Sequence, residues 1–190
     1  ADYLYKTLAR DMADEASSHD FGKDIIPQAV REGVAAAHHF VDSCVTTSKS
    51  SAPYWRDVGT IDAYWEANTE LTRVIPELNL YDRDWPIWTY QEHLPPAKFV
   101  FNDEGRAGCA TDSLVSGGCL ISGSTVDSSV LFSDVRVHSY CKIEGTVILP
   151  KVTVNRHVVL KNAVIDRGCV IPEGMQIGVD LALDTKRLQM

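Results

Sequence analysis

The stretch that decides the fold is VRVHSYCKIEGTVILPKVTVNRHVVLKNAVIDRGCVIPEGMQIG, residues 135–178. Stepping through it by six residues selects an apolar series in which only the fourth member is polar. The members of that series are Val135, Cys141, Val147, Thr153, Val159, Ile165, Ile171 and Ile177. A single amphipathic strand would instead place an apolar residue at every second position and would end at the first glycine or proline.

The series continues through residues that normally end strands, namely Gly145, Pro150, Gly168, Pro172 and Gly174. A six-residue period sustained across such breaks is typical of a parallel β-helix, in which each hexad supplies a short strand and a corner. Residues 115–180 leave room for about eleven hexads, or between three and four coils of three hexads each. An antiparallel sandwich with chance spacing is the alternative that this pattern leaves open.

The whole chain has 190 residues, of which 45% are apolar and 23% charged, an ordinary globular composition. It contains no run of about 18 apolar residues, and its first residues lack the basic and apolar segments of a signal peptide. We therefore expect a cytoplasmic protein without a membrane partner. The five cysteines are widely spaced and lack a C-x-x-C motif, so they predict small buried side chains without disulfides or zinc.

The net charge of −8 argues against a nucleic-acid partner, because binding to phosphates needs a basic surface. The charge is unevenly distributed, with −9 over residues 1–112 and +1 over residues 113–190. This difference indicates two units of different construction. We expect α/β structure over residues 1–76, a linker with a few short strands over 77–113, and the β-helix over 114–190.

Two helices and a strand are predicted in the α/β part. In HDFGKDIIPQAVREG, residues 19–33, Asp24 is expected to cap a helix that has Pro27 in its first turn and ends at Gly33. The aromatic YWRDV, residues 54–58, is expected to form a short strand. Thr60 then caps a helix that ends before Pro76. Its apolar positions are Ile61, Tyr64, Trp65 and Leu71.

Asp57 would then lie where a strand ends and a helix begins, an edge at which open α/β sheets bind ligands. A hard carboxylate oxygen at such an edge suits Mg²⁺. From the residues alone, pairing with Arg56 or capping of the following helix is the simpler interpretation.

Five motifs along the chain resemble the C-terminal portion of bacterial glucose-1-phosphate adenylyltransferases, also called ADP-glucose pyrophosphorylases. They are SSHDFGKDIIP, YWRDVGTIDAYWEAN, WPIWTYQEHLPPAKFV, SLVSGGCLISGS and VIDRGCVIPEGMQIG. The resemblance implies a nucleotide-binding α/β catalytic domain followed by a left-handed parallel β-helix, assembled as a homotetramer. It also implies synthesis of ADP-glucose and pyrophosphate from ATP and glucose 1-phosphate for glycogen, with Mg²⁺ between the two polyanions.

The resemblance also implies roles for single residues. Asp57 is similar to the family aspartate that holds the metal, and Trp55, Asp20 and Phe21 match positions that contact glucose. Arg167 matches an arginine that binds phosphate-bearing effectors, with fructose 1,6-bisphosphate as activator and AMP as inhibitor. An arginine fork suits phosphate geometry.

Some family features have no counterpart in these residues, namely the Gly-rich nucleotide loop, the catalytic aspartate and the sugar-phosphate lysine. We therefore expect a C-terminal fragment that catalyses nothing by itself but still associates. A nucleotidyltransferase for another sugar or nucleotide is one alternative, and a purely structural or regulatory module is another. A hexapeptide-repeat acyltransferase using His138 or His157 as base is the third.

Overall fold

The computed structural model describes residues 1–44, 53–83 and 86–188. The chain divides into two compact units, Ala1–Val45 and Thr46–Met190. The second unit thus contains the whole β-helix together with the segment around Asp57. No helix of the described residues is both long enough and apolar enough to cross a membrane.

The first unit is helical. It contains α1 (Asp2–Met12), a π-helical turn (Phe21–Ile25), α2 (Ile26–Arg31) and α3 (Phe40–Ser43). The predicted cap at Asp24 is wrong: Asp20 has the extended backbone of a cap, and its carboxylate accepts a 2.8 Å hydrogen bond from the Lys23 N–H. The predicted Pro27 position and the end at Gly33, where φ is +70°, are confirmed.

The second unit begins with an irregular segment and a helix. Residues 53–59 form no strand, so the strand predicted for YWRDV is wrong. A strand needs a neighbour to complete its hydrogen bonds, and the described residues place none beside this segment. The predicted helix is confirmed as α4 (Ile61–Glu70), whose first turn is capped by the Thr60 hydroxyl accepting from the Ala63 N–H.

The rest of the unit is a parallel β-solenoid, as predicted. Three parallel sheets run along it, and one small antiparallel hairpin projects from its first coil. The strands are β1 (Lys98–Val100), β2 (Asn102–Asp103), β3 (Arg106–Ala107), β4 (Cys109–Thr111), β5 (Leu114–Val115), β6 (Leu120–Ser122), β7 (Thr125–Asp127), β8 (Val130–Leu131), β9 (Arg136–Val137), β10 (Lys142–Glu144), β11 (Val147–Ile148), β12 (Thr153–Val154), β13 (Val159–Lys161), β14 (Val164–Ile165), β15 (Val170–Ile171) and β16 (Gln176–Ile177). A last helix, α5 (Leu181–Leu188), follows the final strand.

The later coils of the solenoid span 17 residues, because Val126 pairs with Ile143 and Ile143 pairs with Leu160. The coil before them spans 16, because Ala110 pairs with Val126. Three hexads would span one or two residues more, so the predicted six-residue step loses register at each coil. Its members Thr153 and Val159 are only half-buried. The inward residues are their successors, and Leu160 is among the side chains that are completely buried in the core.

The solenoid begins earlier than the sequence pattern indicates. Strand β1 pairs with β6 and β4 pairs with β7, so the first coil includes residues that were expected to form a linker. The hairpin β2–β3 lengthens this coil, since Phe99 pairs with Ile121 at a separation of 22 residues. That insertion hides the repeat from a search with a fixed period.

Candidate functional site

The segment containing Trp55 and Asp57 lies along an open groove of about 600 Å³ on one side of α4. Both residues are exposed, and 70% of the surface of Trp55 is accessible to solvent. Asp57 Oδ1 accepts a 3.0 Å hydrogen bond from the Gly59 N–H, which closes a tight turn before the helix. Asp57 therefore neither caps α4 nor holds Arg56, the two simpler roles considered for it.

Arg56, between these two residues, is bound to carboxylates from elsewhere in the unit. Its Nη2 lies 2.8 Å from Glu70 Oε2 and 3.1 Å from Glu77 Oε2. Coulombic attraction to Glu70, and then to Glu77, raises the pKa of the guanidinium. Sequence reasoning missed Glu70; the only available signal was a carboxylate in the last turn of a helix, where the dipole disfavours negative charge.

Helix α4 is attached to the solenoid by its aromatic residues. Trp65 Nε1 donates a 2.6 Å hydrogen bond to the carbonyl oxygen of Gly145. A second shallow pocket is shared by Tyr64 of the helix and Val164 of β14. The helix thus covers the outer face of one sheet, where Val147 is completely buried, and the groove with Trp55 and Asp57 is supported by the solenoid.

The other residues predicted to contact sugar lie in the first unit. Asp20 is the cap described above, and Phe21 begins the π-helical turn with half of its side chain exposed, 52%. The exposed ring of Phe21 is available to the apolar face of a sugar.

Arg167 lies at a different place, on the solenoid. It is exposed and lines a groove of about 670 Å³ with Ser133 and Pro150 on one side and residues 89–92 on the other. Lys151 is also in this region, with its Nζ 3.9 Å from Glu92 Oε1. Of the residues that line the groove, Arg167 is a cation whose guanidinium suits a phosphate group, and Glu92 is the anion that pairs with Lys151.

Within residues 1–44, 53–83 and 86–188, no three His, Cys, Asp or Glu side chains are grouped to hold a metal ion. Asp57 by itself offers a hard oxygen ligand of the kind that Mg²⁺ takes from proteins, where substrate phosphates and waters complete the coordination. The residues therefore fit a metal that is shared with a phosphorylated substrate and do not fit a site built from this chain alone.

The histidines nominated for acyl transfer are placed differently from each other. His157 is exposed at a solenoid corner, and its ring stacks on Tyr140 at a centroid separation of 5.0 Å. His138 is half-buried, and its carbonyl oxygen accepts a 2.6 Å hydrogen bond from Ser124.

Two family models match the chain. Residues 95–190 match the model described as "GlmU-like, C-terminal hexapeptide", and residues 1–74 match the nucleotidyl transferase model. The first match begins just before β1, in agreement with the early start of the solenoid.

Curated relatives match the whole chain. It is 63% identical over 190 residues to a glucose-1-phosphate adenylyltransferase of Methylobacillus flagellatus, covering 100% of this chain and 44% of that protein. Enzymes of the same name from Dechloromonas aromatica and Albidiferax ferrireducens are 60% and 58% identical, covering 99% and 100% of this chain and 42% and 45% of theirs. The chain thus spans less than half the length of these relatives. Residues 1–74 match nucleotidyl transferases, and residues 95–190, which are half of the chain and contain the solenoid, match the hexapeptide model. The chain therefore belongs to the GlmU-like, C-terminal hexapeptide family.

Proposed function

We propose that this chain is the C-terminal part of a glucose-1-phosphate adenylyltransferase, which makes ADP-glucose and pyrophosphate from ATP and glucose 1-phosphate. The observation that carries the proposal is the identity of 63% that extends over all 190 residues to an enzyme of that name. The match of residues 1–74 to nucleotidyl transferases supports it against the acyltransferase alternative, which accounts for the solenoid only.

In this proposal the residues of the chain bind and orient substrates. Asp57 supplies a carboxylate oxygen to Mg²⁺, and Trp55 places its exposed ring against the apolar face of glucose. Asp20 accepts hydrogen bonds from sugar hydroxyls, and Phe21 covers the ring. When bound, Mg²⁺ would neutralise charge on the phosphates as the sugar phosphate attacks the α-phosphorus of ATP.

Further parts of the proposal concern regulation and assembly. Arg167 contacts the phosphate groups of effectors, with fructose 1,6-bisphosphate and AMP as the candidates. The exposed guanidinium of Arg167 in its groove supports an anionic ligand. The assembly is a homotetramer in the cytoplasm, and the exposed sheet edges at the ends of a β-solenoid favour covering by partner subunits.

A chimera tests the proposal. These 190 residues would replace the matching segment of the Methylobacillus flagellatus relative, and pyrophosphate release would be measured with ATP, glucose 1-phosphate and Mg²⁺. We expect ADP-glucose from the chimera and none from the 190-residue chain alone. The variant Asp57→Asn should abolish turnover while leaving the thermal midpoint unchanged. An inactive chimera that is folded, or a fully active Asp57→Asn chimera, would contradict the proposal.

A further inference from the structure

Glu70 is a buried carboxylate in the last turn of α4, with 9% of its side chain exposed. Its Oε2 is bound to Arg56, whereas Oε1 has no hydrogen-bond partner among the described residues and lies 3.8 Å from Arg73 Nη1. Burial of a carboxylate costs free energy that pairing only partly offsets. A hydrophobic residue at this position would stabilise the helix packing more simply, so a purely structural role explains Glu70 poorly.

The partner of Glu70 is the residue between Trp55 and Asp57. Residues 53–59 form no strand, so no ladder of backbone hydrogen bonds fixes them. The turn at Gly59 orients Asp57 locally but does not attach it to the helix. The contact between Arg56 and Glu70 makes that attachment, and the hydrogen bond from Trp65 to Gly145 holds the helix on the solenoid.

We propose that Glu70, acting through Arg56, is a positioning residue that sets where Trp55 and Asp57 stand in their groove. Glu77 contacts the same guanidinium but is 63% exposed, so solvent screens its charge and it contributes less. The inference rests on the proposed function in one respect only, the assignment of Trp55 and Asp57 to sugar and metal.

Backbone ¹⁵N relaxation in the 190-residue chain tests the positioning without any substrate. In Glu70→Gln, the order parameters of residues 54–59 should fall, while those in the middle of α4 remain high. The matched control is Glu77→Gln, which removes the exposed partner of Arg56 and should change the order parameters much less. Unchanged order parameters at 54–59 in Glu70→Gln, or an equal effect of the two variants, would overturn the inference.

Kinetics of the chimera described above test the consequence. In Glu70→Gln, kcat/KM should fall about 10- to 100-fold, mostly through the KM for glucose 1-phosphate, because small misplacements of binding groups have effects of that size. The double variant Arg56→Gln/Glu70→Gln leaves no unpaired buried charge, because the other partners of the pair, Glu77 and Arg73, are exposed. Any loss of thermal midpoint in Glu70→Gln should therefore be recovered in the double variant, while its KM stays high. Recovery of both the KM and the thermal midpoint would show that the contact between Arg56 and Glu70 has only a structural role. An inactive wild-type chimera would contradict the proposed function, and the relaxation measurement would still decide the positioning.

Discussion

The indole Nε1 of Trp65 donates a 2.6 Å hydrogen bond to the carbonyl oxygen of Gly145. Trp65 lies in the middle of α4, and Gly145 forms the corner between β10 and β11. The bond joins residues 80 positions apart and so fixes the helix on the solenoid. Because Arg56 is tied to the end of this helix, the location of the Trp55–Asp57 segment depends on a corner of the β-helix.

Replacing Trp65 by Phe tests the anchor. Trp65→Phe retains an aromatic ring but removes the donor, so the buried carbonyl of Gly145 loses a partner. We expect the free energy of unfolding to fall by about 1–3 kcal/mol. Urea denaturation followed by circular dichroism measures this. Trp88→Phe is the matched control because Trp88 is 92% exposed. A comparable loss of stability in Trp88→Phe would show that the hydrogen bond from Trp65 is unimportant.

Replacing Gly145 by Ala tests the corner itself. The backbone φ of Gly145 is +54°, and an added Cβ would collide with Asn162 Oδ1. We expect a loss of about 2 kcal/mol or more, from backbone strain together with displacement of the amide. Gly105→Ala is the control, since its φ is +72° but nothing lies within 4 Å of the new atom. Equal losses of thermal stability in both variants would mean that crowding at Asn162 contributes nothing.

Acid sensitivity of the first unit follows from Asp24. The Ser18 hydroxyl and the Asp20 N–H donate to its Oδ2 at 2.6 and 3.1 Å, and these bonds lower the pKa of Asp24. A carboxyl whose pKa is depressed on folding stabilises the fold above its ordinary pKa, and that stabilisation disappears as the pH falls through the folded pKa. In Ser18→Ala, the pKa of Asp24 should rise and acid unfolding of residues 1–44 should begin at higher pH.

Carboxyl-carbon NMR titration would follow Asp24 directly in this experiment. Ser43→Ala, at the exposed end of α3, is the control and should leave the titration of Asp24 where it is. If Ser18→Ala also leaves it unchanged, the hydroxyl does not determine the acidity of Asp24.

Thiol reactivity should separate the cysteines of the solenoid. Cys119 and Cys141 are buried, and burial raises the pKa of both thiols, so the reactive thiolate forms only at higher pH. Cys109 is exposed at β4, so the prediction of a buried side chain is wrong for this cysteine. With a disulfide reagent near pH 8, Cys109 should react at once and the other two only after denaturation. Rapid labelling of Cys141 in the native chain would contradict this packing.

The corners explain why the period read from the sequence was only approximate. The shortest corner has only two residues between strands, as between β10 and β11. Its first place is occupied in successive coils by Ser128, Gly145 and Asn162, with φ of +47°, +54° and +47°. Glycine is the residue that signals such a backbone most clearly in a sequence, whereas serine does not. The apolar repeat therefore predicted the class of fold, but the corner that shortens each coil carries a glycine in only one of these three coils.

The segment around Asp57 was predicted less well for a related reason. Aromatic and branched residues in YWRDV favour a strand, but a strand also requires a partner, and propensity carries no information about one. The cap at Thr60 and the apolar spacing of α4 depend on neighbouring residues only, and both were correct. The partly buried contact from Arg56 to Glu70 spans 14 positions and has no local signature.

The 17-residue coils that follow β7 have a consequence for how such a chain can change in length. Removing or duplicating one complete turn joins each strand to a neighbour of equivalent register, so inward side chains remain inward across the splice. A longer insertion forms a separate hairpin, as β2–β3 does in the first coil. Whole coils can thus be added or removed beyond Gly145 without a change in the part of the sheet on which α4 packs.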